Sequence, residues 1–435
     1  MDRRNFSVFH GLCLGVALAA CGALAQEPPN PQLGRLSALA TAPDWSQLQA
    51  LSKTLTAEEF DAAFETFYRD ERRFPPPWQR DAGGVTIPTG RPDGSSARIE
   101  FRAPDGPEAQ PPRNWRKVSE LPKLEGRPVL SDLKIALDPG HIGGSYAVIE
   151  ERRLTFHPGN PQEAVVEGDH VLKVAQLLKP RLEALGAKVS LVRENSEPVT
   201  GQRPADLRET AISVLRDAGI TNPKESYAGL SGDEKVLTIQ WQTEKLFYRV
   251  SEIHARARKV NEELKPDVVV CMHLNAEPWG PNGQHQYSPV NHLHVLINGC
   301  YAADELQQQD IRFEMVRRLF LRAHDEELPL AEAVAKSMAE STGLPPYVYM
   351  TPNARLVSAT GYVYARNLLA NRIYECPVIY LEPYVMNNQD TYQRLLQGHY
   401  VGRTLTSGRL RSSIYEDYAQ GILDGLVNHY RAKRS

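Results

Sequence analysis

The chain has 435 residues, 41% of them hydrophobic, and a formal net charge of −3. This length is ample for a buried core, and the nearly balanced charge gives no sign of the basic surface that binds nucleic acids. Five cysteines are too few to stabilise a chain of this size by a disulfide framework, so packing must supply its stability.

Residues 1–25 have the features of an export signal, and we exclude them from the fold. Two arginines precede an apolar stretch over 8–20 that is too short for a permanent membrane anchor, and the order RRNF resembles a twin-arginine signal. Two processing sites compete. ALA at 23–25 suits signal peptidase, whereas LAAC at 18–21 resembles a lipobox that would leave a lipidated Cys21. We expect an exported protein, either periplasmic or anchored to the outer membrane as a lipoprotein.

The next segment, residues 26–130, is predicted to be an accessory region with proline-rich connections. Thr56 and Glu59 have the spacing of a helix capping box, and aromatic residues follow at helical intervals. Residues 80–112 are rich in Gly, Pro, Asp and Ser, which predicts a loop or an exposed hairpin.

From residue 131 to 432 the pattern alternates between strand and helix. An apolar strand near 133–137 is followed by a helix over 168–185 and a strand over 187–192, the order of a parallel crossover unit. Pro180 predicts a kink or a break in that helix. Further apolar runs predict two more strands, and apolar residues at every fourth position over 414–430 predict a closing helix. We therefore expect an α/β fold, with a mostly parallel central sheet and helices on both faces.

Three of the predicted strands end at a residue with useful chemistry. LKIALDPG leads to His141, VVVCM leads to His273, and VIYL leads to Glu382. Ligands of α/β enzymes bind at the carboxyl ends of the strands. This arrangement predicts a metal hydrolase.

Glu167 stands at the start of the helix that follows the first strand, so it should lie near His141. The alternative is that Glu167 is an ordinary acidic residue at the start of a helix, where the macrodipole favours negative charge. Two imidazoles and a carboxylate around an open position form a typical catalytic zinc shell. In this interpretation Zn²⁺ is held by His141, Glu167 and His273, and Glu382 acts as the base.

Four segments together resemble the zinc-dependent N-acetylmuramoyl-L-alanine amidases of the amidase type 3 family. They are LDPGHIGG at 137–144, EGDHVLKVAQLLKPRLEALGAKVSLVR at 167–193, RARKVNEELKPDVVVCMHLNA at 256–276 and PVIYLEPYVMNN at 377–388. The resemblance implies the same three zinc ligands, a catalytic glutamate at Glu382, and peptidoglycan as substrate. The bond cut would join N-acetylmuramic acid to L-alanine.

The chain also departs from the family pattern. It reads EPYV where the family has Glu-x-Gly-Phe. The interval between His141 and Glu167 is longer than expected, so Glu163 is a second, weaker candidate for the same ligand role. Insertions near 194–250 and 277–330 enlarge the domain. By resemblance, either insertion could occlude the active site until an activator protein relieves this self-inhibition. A different zinc peptidase or deacylase acting on cell-wall peptides, and a non-catalytic peptidoglycan-binding protein, remain alternatives.

Other polar residues are weighed as candidates. Asn275 shares the side of the strand with His273, which predicts a contact with substrate or a strand-end cap. His292 and His294 are a possible alternative pair of zinc ligands, and His170 either contacts the metal or lies at the surface. We expect a structural role for Arg256. Arg366 and Asn367 are candidates for contact with a substrate carboxylate.

Overall fold

The computed structural model describes residues 31–70, 72, 74–157, 159–280, 285–406 and 408–435. The predicted export signal, with both processing sites and Cys21, lies outside these residues. None of the described helices is both long and apolar enough to cross a membrane.

Eleven α-helices are present in the described residues. They are α1 (Ala57–Ala63), α2 (Glu167–Ala184), α3 (Arg208–Asp217), α4 (Gly232–Val236), α5 (Ile239–Leu246), α6 (Glu252–Arg258), α7 (Gln309–Phe320), α8 (Ala323–Thr342), α9 (Leu369–Ile373), α10 (Gln389–Gln397) and α11 (Ile414–Arg434). Three π-helical segments extend α1, join α5 to α6, and extend α6. They are Phe64–Tyr68, Phe247–Ser251 and Lys259–Leu264.

Fourteen strands are present in the same residues. They are β1 (Gln79–Arg80), β2 (Gly84–Pro88), β3 (Ser96–Glu100), β4 (Lys134–Pro139), β5 (Arg153–Leu154), β6 (Val165–Val166), β7 (Lys188–Leu191), β8 (Val268–Met272), β9 (Leu293–Ile297), β10 (Arg355–Leu356), β11 (Val363–Ala365), β12 (Val378–Pro383), β13 (Thr404–Thr406) and β14 (Arg409–Arg411).

Seven strands form the central sheet, in the order β10-β11-β9-β12-β8-β4-β7. The β7, β4, β8 and β12 strands are parallel, whereas β9 runs antiparallel to β12 and parallel to β11. The expected α/β class with a mostly parallel sheet is confirmed. The predicted insertion at 277–330 contains β9, which is an inner strand of the sheet. A run of only five buried residues carries too short a pattern to separate it from its irregular flanks.

Alternate residues of the inner strands serve two hydrophobic cores. On one face Leu137 and Val270 pack with α2, α8 and α11. On the other face Ala136 and Val269 join a core that includes α7 and aromatic residues of the N-terminal region. The β2–β3 pair is the antiparallel hairpin expected within 80–112. Residues 31–130 thus pack directly against the sheet.

Two helices differ from their predicted form. The α2 helix continues through Pro180, so the expected break does not occur. Leu178 and Leu182, on either side of the proline, are fully buried, and their packing offsets the lost backbone hydrogen bond. The sequence also predicts a helix from Leu330 to Ser341, whereas the α8 helix begins earlier, at Ala323, and contains a proline.

Candidate metal centre and active-site cleft

Three side chains that are far apart in sequence meet at one edge of the sheet. Ligand atoms of His141, Glu167 and His273 all lie within 4.8 Å of one another. The Nε2 atom of His141 is 3.3 Å from Glu167 Oε2, and the Nδ1 atom of His273 is 3.1 Å from Glu167 Oε1. Glu167 is almost fully buried, whereas the His141 and His273 side chains remain 16% and 12% exposed. The cluster is therefore reachable from solvent through its imidazoles.

The backbone of His141 is held in an unusual conformation. His141 follows the last residues of β4 and has φ of 55°, in the left-handed region that non-glycine residues rarely adopt. Such strain persists only where surrounding contacts enforce it. Arg256, from α6, supplies them by donating hydrogen bonds to the carbonyl oxygens of Pro139 (2.8 Å) and His141 (2.7 Å). The same buried guanidinium is paired with Asp138 and Glu252, which agrees with the structural role expected for Arg256.

A glycine in the first motif makes room for the second imidazole. A Cβ atom added to Gly140 would lie 2.1–2.5 Å from three ring atoms of His273, far inside contact distance. The β4 and β8 strands are adjacent and parallel, with Pro139 opposite Met272, which brings the two strand ends together. The His273 ring also stacks on Tyr380 of β12, with centroids 4.3 Å apart. The ring is thus clamped between a backbone and an aromatic side chain.

Glu167 has the negative charge and the acceptor oxygens of a metal ligand. Burial would raise its pKa, but His141 and His273 outweigh burial and hold the pKa well below its usual value. Its Oε1 accepts a hydrogen bond from the Leu274 amide (3.0 Å), whereas its Oε2 is buried without a hydrogen bond among the described residues. Burial lowers the pKa of His273, which favours the neutral imidazole that binds metals. This donor set fits a divalent metal ion.

Glu382 faces the same cleft, which has a volume of about 690 Å³ and is also lined by the three clustered residues. Burial, and then the negative charge of Glu167, raise the pKa of Glu382 to about 8. A carboxyl group poised near neutrality can both accept and return a proton. Asn275 lies in the cleft wall too, with its Oδ1 held by the Ala276 amide (2.8 Å).

The other candidates lie elsewhere or are engaged. Glu163 bonds to Asn160 (2.8 Å) and His157, and so is not part of the cluster. His170 is neither a ligand nor an exposed helix residue, because α2 directs it to the hydroxyl of Tyr415 (2.6 Å).

The rival pair of histidines does not form a metal site. His292 bonds to Glu277 (3.1 Å) and His294 to Tyr349 (3.0 Å). Among the described residues, the cluster at His141 is the one group of three or more metal-binding side chains that converge.

Sequence patterns gave no signal for two neighbours of the cluster. The buried carboxylate of Glu150 accepts hydrogen bonds from the Ile142 and Gly143 amides and lies 3.5 Å from His141 Nδ1. The Nε atom of Arg152 lies 3.2 Å from both His141 Nε2 and Glu167 Oε2. Both residues belong to an irregular loop after β4, where no periodicity marks a functional position.

Comparison with known proteins identifies one family and several solved structures. A family model described as N-acetylmuramoyl-L-alanine amidase matches residues 135–424. The amidase Ami1 of Mycobacterium smegmatis is 16% identical with a TM-score of 0.38, covering 70% of this chain and 99% of its own. The CwlD amidase of Clostridioides difficile, in complex with the GerS lipoprotein, is 12% identical with a TM-score of 0.37, covering 68% and 98%. None of the curated proteins matches the sequence. The family assignment therefore rests on the family model.

Proposed function

Because this chain belongs to the N-acetylmuramoyl-L-alanine amidase family and is a peptidoglycan amidase, we propose that it is a zinc hydrolase in which His141, Glu167 and His273 hold the metal and Glu382 is the base. The bond cut is the amide between the lactyl group of N-acetylmuramic acid and L-alanine. The observation that carries the proposal is the convergence of two imidazoles and a buried carboxylate beside a second carboxyl group, that of Glu382, whose pKa is raised.

The donor set favours zinc over harder cations. Calcium and magnesium prefer shells of oxygen, whereas two imidazoles with one carboxylate are a typical catalytic zinc shell. Zinc bound there would lower the pKa of water and polarise the scissile carbonyl. The protein supplies the orientation, since Arg256 fixes the backbone of His141 and Tyr380 stacks on His273.

Glu382 performs the proton transfers in this proposal. It accepts a proton from the attacking water and delivers one to the departing amine of L-alanine, which would otherwise leave as an unstable anion. Burial of Glu382 in the cleft wall keeps its pKa high enough for the second transfer. Asn275, in the same wall, is proposed to contact the substrate.

Muropeptide digestion tests the proposal. Purified protein should release free stem peptides from peptidoglycan, detected by mass spectrometry, and a chelator should abolish the release until zinc is restored. Cleavage within the stem would instead identify a zinc peptidase, and removal of acyl groups a deacylase. Sedimentation with peptidoglycan without any released product would identify a binding protein and refute the proposal.

A self-inhibitory contact through the insertion at 194–250 is also proposed, with relief by an activator protein. Lys235 in this insertion forms an ion pair with Glu151 (2.5 Å), the residue before Arg152. Because Arg152 contacts two of the ligand side chains, the insertion is linked to the metal centre. The 277–330 segment stays the alternative for this role, with its residues Leu293–Ile297 fixed in the sheet as β9.

A charge-removing variant tests that contact. Lys235→Ala should raise turnover without activator, whereas Lys224→Ala, which removes an exposed pair with Glu234, should not. Equal turnover in the two variants and the wild type would show that the insertion does not restrain the site.

The remaining organisation is proposed from sequence. Residues 131–432 form the catalytic domain, residues 26–130 an accessory region, and residues 1–25 an export signal that directs the enzyme to the periplasm. Lipidation at Cys21 would anchor it to the outer membrane. Mass spectrometry of the mature protein decides between a lipidated Cys21 and an amino terminus at Gln26.

A further inference from the structure

An unpaired cation lies in the wall of the cleft, on the opposite side of Glu382 from the β8 strand. Arg366 directly follows β11, and its backbone amide is fixed by the Ile297 carbonyl oxygen (3.0 Å). Its guanidinium lines the cleft and donates one hydrogen bond, from Nη1 to the hydroxyl of Tyr349 (3.1 Å). Among the described residues it forms no ion pair within 4.0 Å, although the charge of Glu382 acts on it. Most of its five donors are therefore available to a ligand.

Tyr349 holds this guanidinium in place and connects it to a buried histidine. The Tyr349 ring lies beneath the guanidinium, 5.5 Å from its central carbon. Since the hydroxyl accepts from Arg366, its own hydrogen donates to Nε2 of His294 (3.0 Å). This fixes the neutral tautomer of His294 with its proton on Nδ1.

His294 supports Tyr349 from inside the cleft wall. It is 2% exposed, lines the cleft, and its Nδ1 has no hydrogen-bond partner in the described part of the chain. Burial, with the positive charge of Arg366 nearby, lowers its pKa well below the usual value, so the ring stays neutral. In the β12–β9 register, His294 stands directly opposite Glu382. His294, and the Tyr349–Arg366 pair that it supports, therefore adjoin the proposed catalytic base.

Asn367, considered with Arg366 from the sequence, has a different role. Its Oδ1 accepts from the Arg372 guanidinium (2.7 Å), so its oxygen is already committed within the protein. On this side of Glu382, the cleft wall offers the charged N–H donors of Arg366. A planar anion that can accept two hydrogen bonds from a guanidinium matches this set best.

We propose that Arg366, positioned by Tyr349 and, through Tyr349, by His294, binds a free carboxylate of the stem peptide and so sets substrate specificity. The inference rests on the proposed function, because that reaction places the stem beside Glu382. A charge-assisted pair in this recess orients the peptide over the metal centre and discriminates against stems in which that carboxylate is amidated.

The test compares a series of muramoyl tetrapeptides, in each of which a different free carboxylate of the stem is amidated. With zinc-loaded wild-type protein, amidation of one particular carboxylate should lower kcat/KM by about 10- to 100-fold, the range for a hydrogen-bonded charged pair. In Arg366→Gln, this loss of kcat/KM on amidation should disappear, because the variant lacks the positive charge that distinguishes a carboxylate from an amide. Tyr349→Phe should reduce this loss in part. Exposed Arg403, changed to Gln, is the matched control and should retain it fully.

The ratio of kcat/KM for two substrates separates recognition of the carboxylate from other effects of the Arg366 substitution. Arg366 also lowers the pKa of Glu382, so its loss changes the rate with every substrate by the same factor. If Arg366→Gln lowers kcat/KM equally for all the tetrapeptides, or if no amidation affects the wild type, the inference is wrong. If the wild type releases no stem from any tetrapeptide, the proposed function itself fails, and the inference with it.

Discussion

Replacing Gly140 with alanine should weaken metal binding without unfolding the protein. The added Cβ would lie 2.1, 2.3 and 2.5 Å from Cε1, Nε2 and Nδ1 of His273, whereas ordinary contacts begin near 3.4 Å. The imidazole must therefore move by about 1 Å, while zinc–ligand distances tolerate changes of only about 0.2 Å. Disturbing groups that orient metal ligands typically lowers affinity by about 10- to 100-fold, and we expect a loss of at least this size.

The assay is a zinc titration against a competing chromophoric chelator, with thermal unfolding of the metal-free protein measured in parallel. Gly201→Ala is the matched control, because a Cβ there meets no atom within 4 Å and the glycine has no positive φ. We expect the control to bind zinc as the wild type does. If Gly140→Ala is folded and binds zinc with unchanged affinity, the backbone at Gly140 does not position a metal-binding His273.

Four further outcomes follow from the same geometry. Glu382→Ala should retain zinc by elemental analysis but lose about 100-fold or more in stem release, since general acid–base catalysis contributes 10²–10⁴-fold; an unchanged rate would exclude Glu382 as base. His141→Ala should lower zinc occupancy, and full occupancy would remove it from the ligand set. The pKa of Glu382 is raised from about 4.5 to about 8, so its carboxyl stabilises the metal-free fold below pH 4.5, and this contribution is lost as pH rises towards 8. Glu382→Gln should therefore raise the Tm of metal-free protein at pH 8 but not at pH 4.5, and equal shifts at both would contradict this. Arg256→Met should lower the free energy of unfolding in urea by about 3–5 kcal/mol, because Asp138 and Glu252 would become buried charges without a partner. A loss under 1 kcal/mol would show that the variant does not leave these two carboxylates buried and unpaired.

The parts of the fold that sequence could predict are those with strong periodicity or clear strand ends. The β4, β8 and β12 strands are buried apolar runs that stop at turns, and α11 carries an apolar residue at every fourth position. Parallel pairing of such strands is enough to bring His141 and His273 to one edge. The position of Glu167 could be predicted as well, because it begins the helix after β4, and that helix must pack back onto the same sheet.

What the sequence could not predict depends on contacts between distant segments. The reversed direction of β9, and with it the position of His294 opposite Glu382, is a property of sheet assembly and not of a local pattern. Arg152 reaches the cluster from an irregular loop, and Pro180 is tolerated because burial of its neighbours outweighs a local penalty. Long-range packing decides each of these cases.

Anomalous diffraction at the zinc edge, from crystals grown with zinc, tests the central claim most directly. The account predicts a single strong peak within about 2.0–2.2 Å of one nitrogen each of His141 and His273 and of a Glu167 oxygen, with Glu382 across the open position. A peak bound by other residues, or none at this cluster in fully zinc-loaded protein, would contradict it.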